Sequence, residues 1–218
     1  MNYSRIYEYR FKDVDKHKKL ITWKEISKFI YKELNQPEII IDPAAGECEF
    51  INCIPCKEKW AIDLNYDFVS KFANTGVNMK IGDSLKLDLP AEYFDAVFLS
   101  NFLEHLNSQE EIHLLLLNMF KTLKPGGRIA IMGPNFKYCQ NEYFDFADHK
   151  MILTHLSLEE HIYSAGFDVI KVVPRFLPVS FRGRFPINKL IVRTYLLMPL
   201  LWKFFGKQFL IIAEKHKS

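Results

Sequence analysis

Three aspartates in the first half of the chain each follow an apolar run. Asp42 ends the run IIID, Asp63 ends the run WAID 21 residues later, and Asp83 follows a weaker run that closes with Gly82. Apolar runs of this length are typical of buried parallel strands, whose carboxyl ends meet at one edge of a sheet. An acid at such a strand end can accept hydrogen bonds from both hydroxyls of a ribose, and a third acid could accept from an adenine amino group. The spacing therefore predicts a ligand crevice at this edge.

A loop of small residues lies between the first apolar run and a helix-like stretch, in the segment IIIDPAAGECEF, residues 39–50. Ala44, Ala45 and Gly46 permit the backbone to approach a ligand closely. The loop lacks the G-x-G-x-x-G spacing of dinucleotide-binding proteins, so alone it is a weak sign. It gains weight from Asp63, whose alternative role is a helix cap or a solvated turn acid.

A sheet is needed to position these residues, and strand-like stretches alternate with helix-like ones along the chain. Ser157 with Glu160 has the spacing of a helix capping box, and a helix interrupted near Pro199 is predicted over 188–205. The alternation predicts an α/β fold with helices on both faces of a parallel sheet. The predicted strands are 38–42, 60–63, 78–82, 94–100, 128–133, 168–173 and 208–213.

In order and spacing, the motifs resemble those of class I S-adenosylmethionine-dependent methyltransferases. The matching segments are IIIDPAAGECEF, AIDLN, GDSLKLDLP, FDAVFLSNFLEHL and LKPGGRIAIMGP, and the final run QFLIIAEK also fits. LEHL with LKPGG is the specific pair, and the chain looks most like bacterial enzymes that methylate small molecules and glycans. The resemblance covers roughly residues 36–175. It implies a Rossmann-like, mostly parallel sheet of seven strands in the order 3-2-1-4-5-7-6, with the last strand antiparallel.

The resemblance also implies which residues surround the cofactor, S-adenosylmethionine. The family usually has glycines where Ala44 and Cys48 stand, and Cys48 at the start of the helix would narrow the pocket. The methionine part of the cofactor is implied to meet Asp42, Ala44 and Gly46, and the ribose is implied to be held by Asp63. The adenine is implied to contact Leu64, Asp83 and Ser84, and the pocket floor is implied to be formed by Asn101 and His105.

The methyl acceptor is expected beside the segments that follow the later strands. The 218 residues are predicted to form one domain, in which 1–35 is an N-terminal helical cap and 134–156 and 176–207 are insertions forming a lid over the acceptor. Methyl transfer from a sulfonium is an in-line displacement that mainly needs alignment, and a hydroxyl acceptor also needs a base. The catalytic candidates are His149 and Tyr138.

The same two insertions supply candidate acceptor-binding residues, which are Tyr143, His155, Arg182 and Arg184. Clustered arginines suit phosphate or carboxylate recognition, and their alternative is a solvated basic face. Each lid histidine has a structural alternative, in which its ring is bonded to the backbone.

Four cysteines raise the question of a metal. Cys48, Cys53 and Cys56 have the C-x4-C-x2-C spacing of plant-type iron–sulfur ligands, and Cys139 is a fourth candidate. Cys48 already has a place in the cofactor loop, so reduced thiols and no metal are expected.

Composition and charge restrict the partners. The formal net charge is +3, and no concentrated basic and aromatic stripe is present, so no nucleic-acid partner is expected. No signal peptide or run long enough to span a bilayer is seen, which predicts a cytoplasmic protein. The basic and apolar stretch 188–205 is expected to pack on the core or to form a dimer face. This leaves monomer and homodimer open, with peripheral membrane contact as the third alternative.

Together the motifs predict transfer of a methyl group from S-adenosylmethionine to a small-molecule or sugar acceptor, such as a glycan precursor. The alternative is a protein of the same fold that binds the cofactor or a partner without catalysis. A nucleotide-dependent oxidoreductase is disfavoured, because the glycine fingerprint is missing.

Overall fold

The computed structural model of the chain describes residues 3–178 and 187–216, and in these ranges it forms a layered α/β fold. The strands are β1 (Ile39–Asp42), β2 (Glu58–Asp63), β3 (Val77–Ile81), β4 (Phe94–Ser100), β5 (Leu123–Pro134), β6 (Phe167–Val173) and β7 (Gln208–Lys215). The helices are α1 (Tyr3–Phe11), α2 (Lys16–Glu33), α3 (Glu49–Cys53), α4 (Tyr66–Phe72), α5 (Gln109–Thr122), α6 (Phe136–Cys139), α7 (His155–Ser164), α8 (Lys189–Leu197) and α9 (Pro199–Phe205). Single 3-10 turns occur at Leu103–His105 and Tyr143–Asp145.

The seven strands form one sheet in the order β3-β2-β1-β4-β5-β7-β6. β1 to β5 are parallel to one another, whereas β7 runs antiparallel to both β5 and β6. The predicted fold class and strand order are therefore confirmed. The parallel strands β1 to β4 end at one edge, which is where the crevice was predicted.

Alternate strand residues face two separate cores. Ile40 and Phe98 lie in a core covered by α2, α3, α8 and α9, and Ile41 and Leu99 lie in a core covered by α5 and α7. The strands β1 and β4 are therefore buried on the two faces of the sheet, which is why their sequences are largely apolar.

The largest differences from the predicted element boundaries lie at the starts of β5 and α7. β5 begins at Leu123, five residues before the predicted start, because a register irregularity lets Leu123 pair with Phe94 and Arg128 with Ala96. A side chain at Gly127 would meet the Lys124 backbone oxygen at 2.8 Å, so this irregular stretch requires a glycine.

Helix α7 begins earlier than its predicted capping box. Thr154 is the residue that caps it, and Ser157 lies at the third helical position. The Ser157 N–H donates to Thr154 Oγ1 (3.2 Å), and the Thr154 N–H donates to Ser157 Oγ (3.1 Å). The prediction that Ser157 and Glu160 form the box is wrong, because a serine takes the position that a glutamate usually fills.

Within the described ranges, no helix has both the length and the apolar character needed to cross a bilayer.

Candidate functional site

The loop after β1 accepts support from two aspartates, Asp42 at the end of β1 and Asp63 at the end of β2. The Ala44 N–H donates to Asp42 Oδ1 (3.2 Å), and the Gly46 N–H donates to Asp63 Oδ2 (3.1 Å). The other oxygen of Asp63 accepts from the Asn65 N–H (3.0 Å). Gly46 has a φ of +50°, which favours glycine over residues with a Cβ. Asp63 therefore fixes the small-residue loop from the neighbouring strand end.

Burial sets the charge of this edge. Asp42 is buried, and its burial, with the nearby Asp63 and Glu49 carboxylates, raises its pKa to about 8. Burial also raises the pKa of Asp63. An ammonium group placed beside a buried carboxyl group stabilises the ionised form of that carboxyl group. The ammonium of a methionine moiety fits this requirement.

A cavity of about 210 Å³ extends from this loop under the N-terminal helices. It brings together six of the residues predicted for the site, which are Asp42, Ala44, Gly46, Asn101, His105 and His149. The N-terminal helices add Arg10, Phe11, Lys19 and Trp23, and the segment after β5 adds Pro134 and Phe146. The indole nitrogen of Trp23, another residue of the cavity lining, is buried without a hydrogen-bond partner.

One end of the cavity carries a cluster of Glu104, His105 and His149. His105 Nδ1 lies 3.0 Å from the backbone oxygen of Asp148 and 3.6 Å from its carboxylate. If Nδ1 donates to that oxygen, Nε2 is the nitrogen left to accept. Glu104 is buried, and burial raises its pKa.

His149 is packed as a neutral ring. It stacks on Phe146 at 4.8 Å, and its centroid is 5.2 Å from that of His105. Its Nδ1 is buried without a hydrogen bond. Burial, with the nearby His105, lowers its pKa to about 4, so the imidazole is neutral at pH 7.

An ion pair from α1 closes this end. Arg10 pairs with Asp148, which is buried, and the Arg10 guanidinium also lies 5.0 Å from the centre of the Phe146 ring. Burial raises the pKa of Asp148, but the hydrogen bond from Arg10 and the nearby His105 outweigh it, so its pKa lies below the ordinary value. The N-terminal cap is therefore tied to the segment 134–156 by a pair that needs both charges.

The cluster also meets a geometric condition for binding a metal. In the described part of the chain, the ligand atoms of Glu104, His105 and His149 form the one group that lies within 4.8 Å of one another. The guanidinium of Arg10 lines the same cavity and disfavours a second cation there. The cysteines belong to no such group, and burial raises the pKa of Cys48 and of Cys56 to about 12, so these thiols are protonated.

Four predicted cofactor residues lie outside the enclosed cavity, at the ends of β2 and β3. Asp63 and Leu64 follow β2, and the Leu64 side chain is exposed. Asp83 accepts from the Leu85 N–H (3.0 Å). Ser84 is buried, and its hydroxyl donates to the backbone oxygen of Pro43. This hydrogen bond joins the loop after β3 to the loop after β1.

Three predicted residues are not brought to the cavity. The Tyr143 hydroxyl is buried and donates to the Met151 backbone oxygen, so it is a structural group of its segment. His155 Nδ1 lies 2.9 Å from the Asn135 side-chain nitrogen, and its ring faces Tyr138 at 6.3 Å. Tyr138 packs against Arg175 instead of lining the cavity. Arg182 and Arg184 lie outside the described residues.

Sequence reasoning missed the contribution of the N-terminal helices. Lys19 pairs with Glu47 and Glu49 of the cofactor loop, and Arg10 and Trp23 reach the cavity from above. These contacts join residues far apart in the chain, and no local pattern marks them. Glu104 and Asp148 did carry a signal, because each directly precedes a candidate histidine.

Comparison with known proteins agrees with this geometry. Residues 41–131 match a family model described as a methyltransferase domain, and no curated protein sequence matches the chain. An S-adenosylmethionine-dependent methyltransferase from Archaeoglobus fulgidus is 23% identical with a TM-score of 0.70, covering 98% of this chain and 100% of that one. One from Mesorhizobium loti is 16% identical with a TM-score of 0.59, covering 81% and 90%. Human N-acetylserotonin methyltransferase, solved with S-adenosylmethionine, is 16% identical with a TM-score of 0.60, covering 88% and 51%.

Proposed function

We propose that this chain is a class I S-adenosylmethionine-dependent methyltransferase and that it methylates a small-molecule or sugar acceptor. The methyltransferase-domain match over residues 41–131 and the shared fold support the first part of the proposal. The observation that carries the proposal is the continuity of the cavity. It runs from the loop at Asp42 and Gly46 to the cluster at Glu104 and His149. A sulfonium held at the first end would face an acceptor held at the second.

The proposed cofactor position uses the lone pairs that the loop leaves open. The Asp63 carboxylate accepts backbone N–H groups of Gly46 and Asn65 on its two oxygens and a further backbone hydrogen bond from Leu64, and it would accept the ribose through the acceptor capacity that remains. Leu64 would cover the adenine, and Asp83 would accept from its amino group. Ser84 would act indirectly, because its hydroxyl holds the loop after β3 to Pro43. Asn101 and His105 would form the floor.

The size and cover of the acceptor end favour a small acceptor. The cavity is lined by Arg10 and Phe11 of the N-terminal region and by Phe146 and Pro134. A small molecule or a terminal sugar fits such a space, whereas a folded macromolecule does not. The proposed lid therefore consists of the N-terminal cap and the segment 134–156.

The described part of the other insertion, 176–207, has a different position. Phe176 and Trp202 pack on Phe29 of α2, with ring centroids 5.3 and 5.9 Å from it. No described residue of that insertion lines the cavity. It is therefore left out of the proposed acceptor lid.

The proposed chemistry is an in-line displacement in which the cofactor supplies an activated methyl group. The chain's part is to hold donor and acceptor in line and to exclude water. For a hydroxyl acceptor, His149 would take the proton, because its ring is neutral and lines the acceptor end. The nearby Asp148 carboxylate favours the imidazolium that forms.

A two-stage experiment tests the proposal. Calorimetry first measures binding of S-adenosylmethionine and of its demethylated product, S-adenosylhomocysteine. Release of S-adenosylhomocysteine is then followed with a panel of sugars, nucleotide sugars and small phenols. Binding with acceptor-dependent release is expected. Absence of cofactor binding contradicts the cofactor site, and binding without release on the whole panel contradicts the acceptor class.

A further inference from the structure

The two helices α8 and α9 present apolar side chains to solvent. The exposed fractions are 73% for Leu190, 66% for Leu197, 60% for Leu200 and 68% for Phe204. The opposite faces of the same helices are already buried, through Leu196 and Trp202. Large apolar side chains that are exposed together on the surface of a protein commonly mark an interaction site. The outer face of α8 and α9 therefore has the character of a binding surface.

The helices are fixed in this orientation by polar contacts on their inner side. The Tyr195 hydroxyl donates to the Phe176 backbone oxygen (2.6 Å), and the Trp202 indole donates to the Tyr195 backbone oxygen (2.8 Å). Arg175 donates to the Gly206 backbone oxygen (2.8 Å). Rotating the helices to hide their outer leucines would break these bonds, so the exposure is a stable property of the fold.

The charged residues of α8 and α9 are all basic. Lys189, Arg193 and Lys203 are exposed, and neither α8 nor α9 contains an acidic residue. Lys207, which follows α9, pairs with Glu142. The formal net charge of the whole chain is only +3, so three exposed cations on two short helices are a local concentration.

We propose that α8 and α9 form a membrane-docking face that binds an anionic lipid surface. Apolar side chains flanked by lysine and arginine insert into the headgroup region while the cations meet anionic lipids. A second copy of the chain is a poorer occupant, because a two-fold dimer through this face would place the same cations opposite one another.

The docking face lies beside the proposed active site through α2. Phe29 of α2 packs on Trp202, and Trp23 of the same helix lines the cavity. Six residues of helix separate them by about 9 Å along its axis. Docking would bring the cavity close to acceptors carried on lipids, a consequence that rests on the proposed function.

Vesicle flotation of the full chain tests the docking face. The chain is expected to bind vesicles of phosphatidylcholine that contain about 30% phosphatidylglycerol, which gives the vesicles a negative surface. This binding should weaken as the salt concentration rises, and the chain should not bind vesicles of pure phosphatidylcholine. Arg193→Glu with Lys203→Glu should weaken binding at least about 25-fold, since each basic residue contributes a factor of roughly five. Phe204→Ser should weaken it roughly tenfold. Lys121→Glu and Tyr163→Ser, which change exposed residues on α5 and α7, are the matched controls.

Three results would overturn the proposal. They are absence of flotation with anionic vesicles, equal loss in the control variants, and a dimer in light scattering that Phe204→Ser dissociates. Cofactor binding measured without vesicles should be unchanged in every variant. A failure of docking is therefore distinguishable from a failure of the proposed function.

Discussion

Replacing Asp63 by alanine should weaken cofactor binding roughly ten- to a hundredfold. The carboxylate accepts from the Gly46 N–H at 3.1 Å and the Asn65 N–H at 3.0 Å, and in the proposed complex it would also accept from the ribose hydroxyls. A hydrogen bond to a charged group contributes about 1.5–3 kcal/mol, and a tenfold change in affinity corresponds to about 1.4 kcal/mol. Burial raises the pKa of Asp63, which offsets part of this gain. The expected loss is therefore that of about one charged hydrogen bond, although two hydroxyls are bound.

The variant also loses two backbone hydrogen bonds, so a matched control is needed. Asp95 accepts from the Glu38 N–H (3.0 Å) and the Ile39 N–H (2.8 Å) at the opposite end of β1. Asp95→Ala should lower stability by a similar ~1–3 kcal/mol while leaving cofactor affinity unchanged. Asp63→Asn keeps one acceptor oxygen and should lie between wild type and Asp63→Ala. Calorimetry with S-adenosylhomocysteine measures affinity, and thermal unfolding measures stability. Unchanged affinity in a folded Asp63→Ala variant would refute the assigned role.

Three further predictions follow from the same site. His149→Ala should reduce turnover of a hydroxyl acceptor by roughly 10²–10⁴-fold with cofactor affinity intact, whereas His161→Ala should change neither; equal rates would exclude His149 as the base. The folded-state pKa of Asp42 is raised to about 8, so the folded protein binds a proton that the unfolded chain loses near pH 4. Denaturant unfolding should therefore show wild type losing stability relative to Asp42→Asn as pH rises from 5 to 8, by at most about 1.4 kcal/mol per unit, and parallel curves would contradict this. Elemental analysis of untagged protein should find no stoichiometric zinc or iron; a stoichiometric metal lost in His149→Ala would place it in the histidine cluster.

The sheet was predictable because its signals are local. The runs IIID and FDAVFLS are mostly apolar, as expected of strands buried on both faces. Their order in space was not contained in those runs and came from the resemblance. The start of β5 was misplaced because Pro125-Gly126-Gly127 has the composition of a turn, yet the backbone there continues as an irregular strand.

The site was predictable where its residues sit at strand ends and not where distant segments meet. Asp42, Gly46 and His105 reach the cavity from motifs that could be recognised. The position of Tyr143 could not be predicted, because nothing in its neighbourhood in the sequence shows that its hydroxyl bonds to its own segment at Met151. Arg10 was missed because its partner, Asp148, is 138 residues away.

The most direct test of the central claim is a crystal structure of the chain with S-adenosylhomocysteine bound. The proposed function predicts that the ribose hydroxyls contact Asp63 and that the sulfur opens onto a space walled by Arg10, Phe146 and His149. A ribose held elsewhere, or a sulfur that faces a space bounded by neither the N-terminal cap nor the segment 134–156, would contradict it.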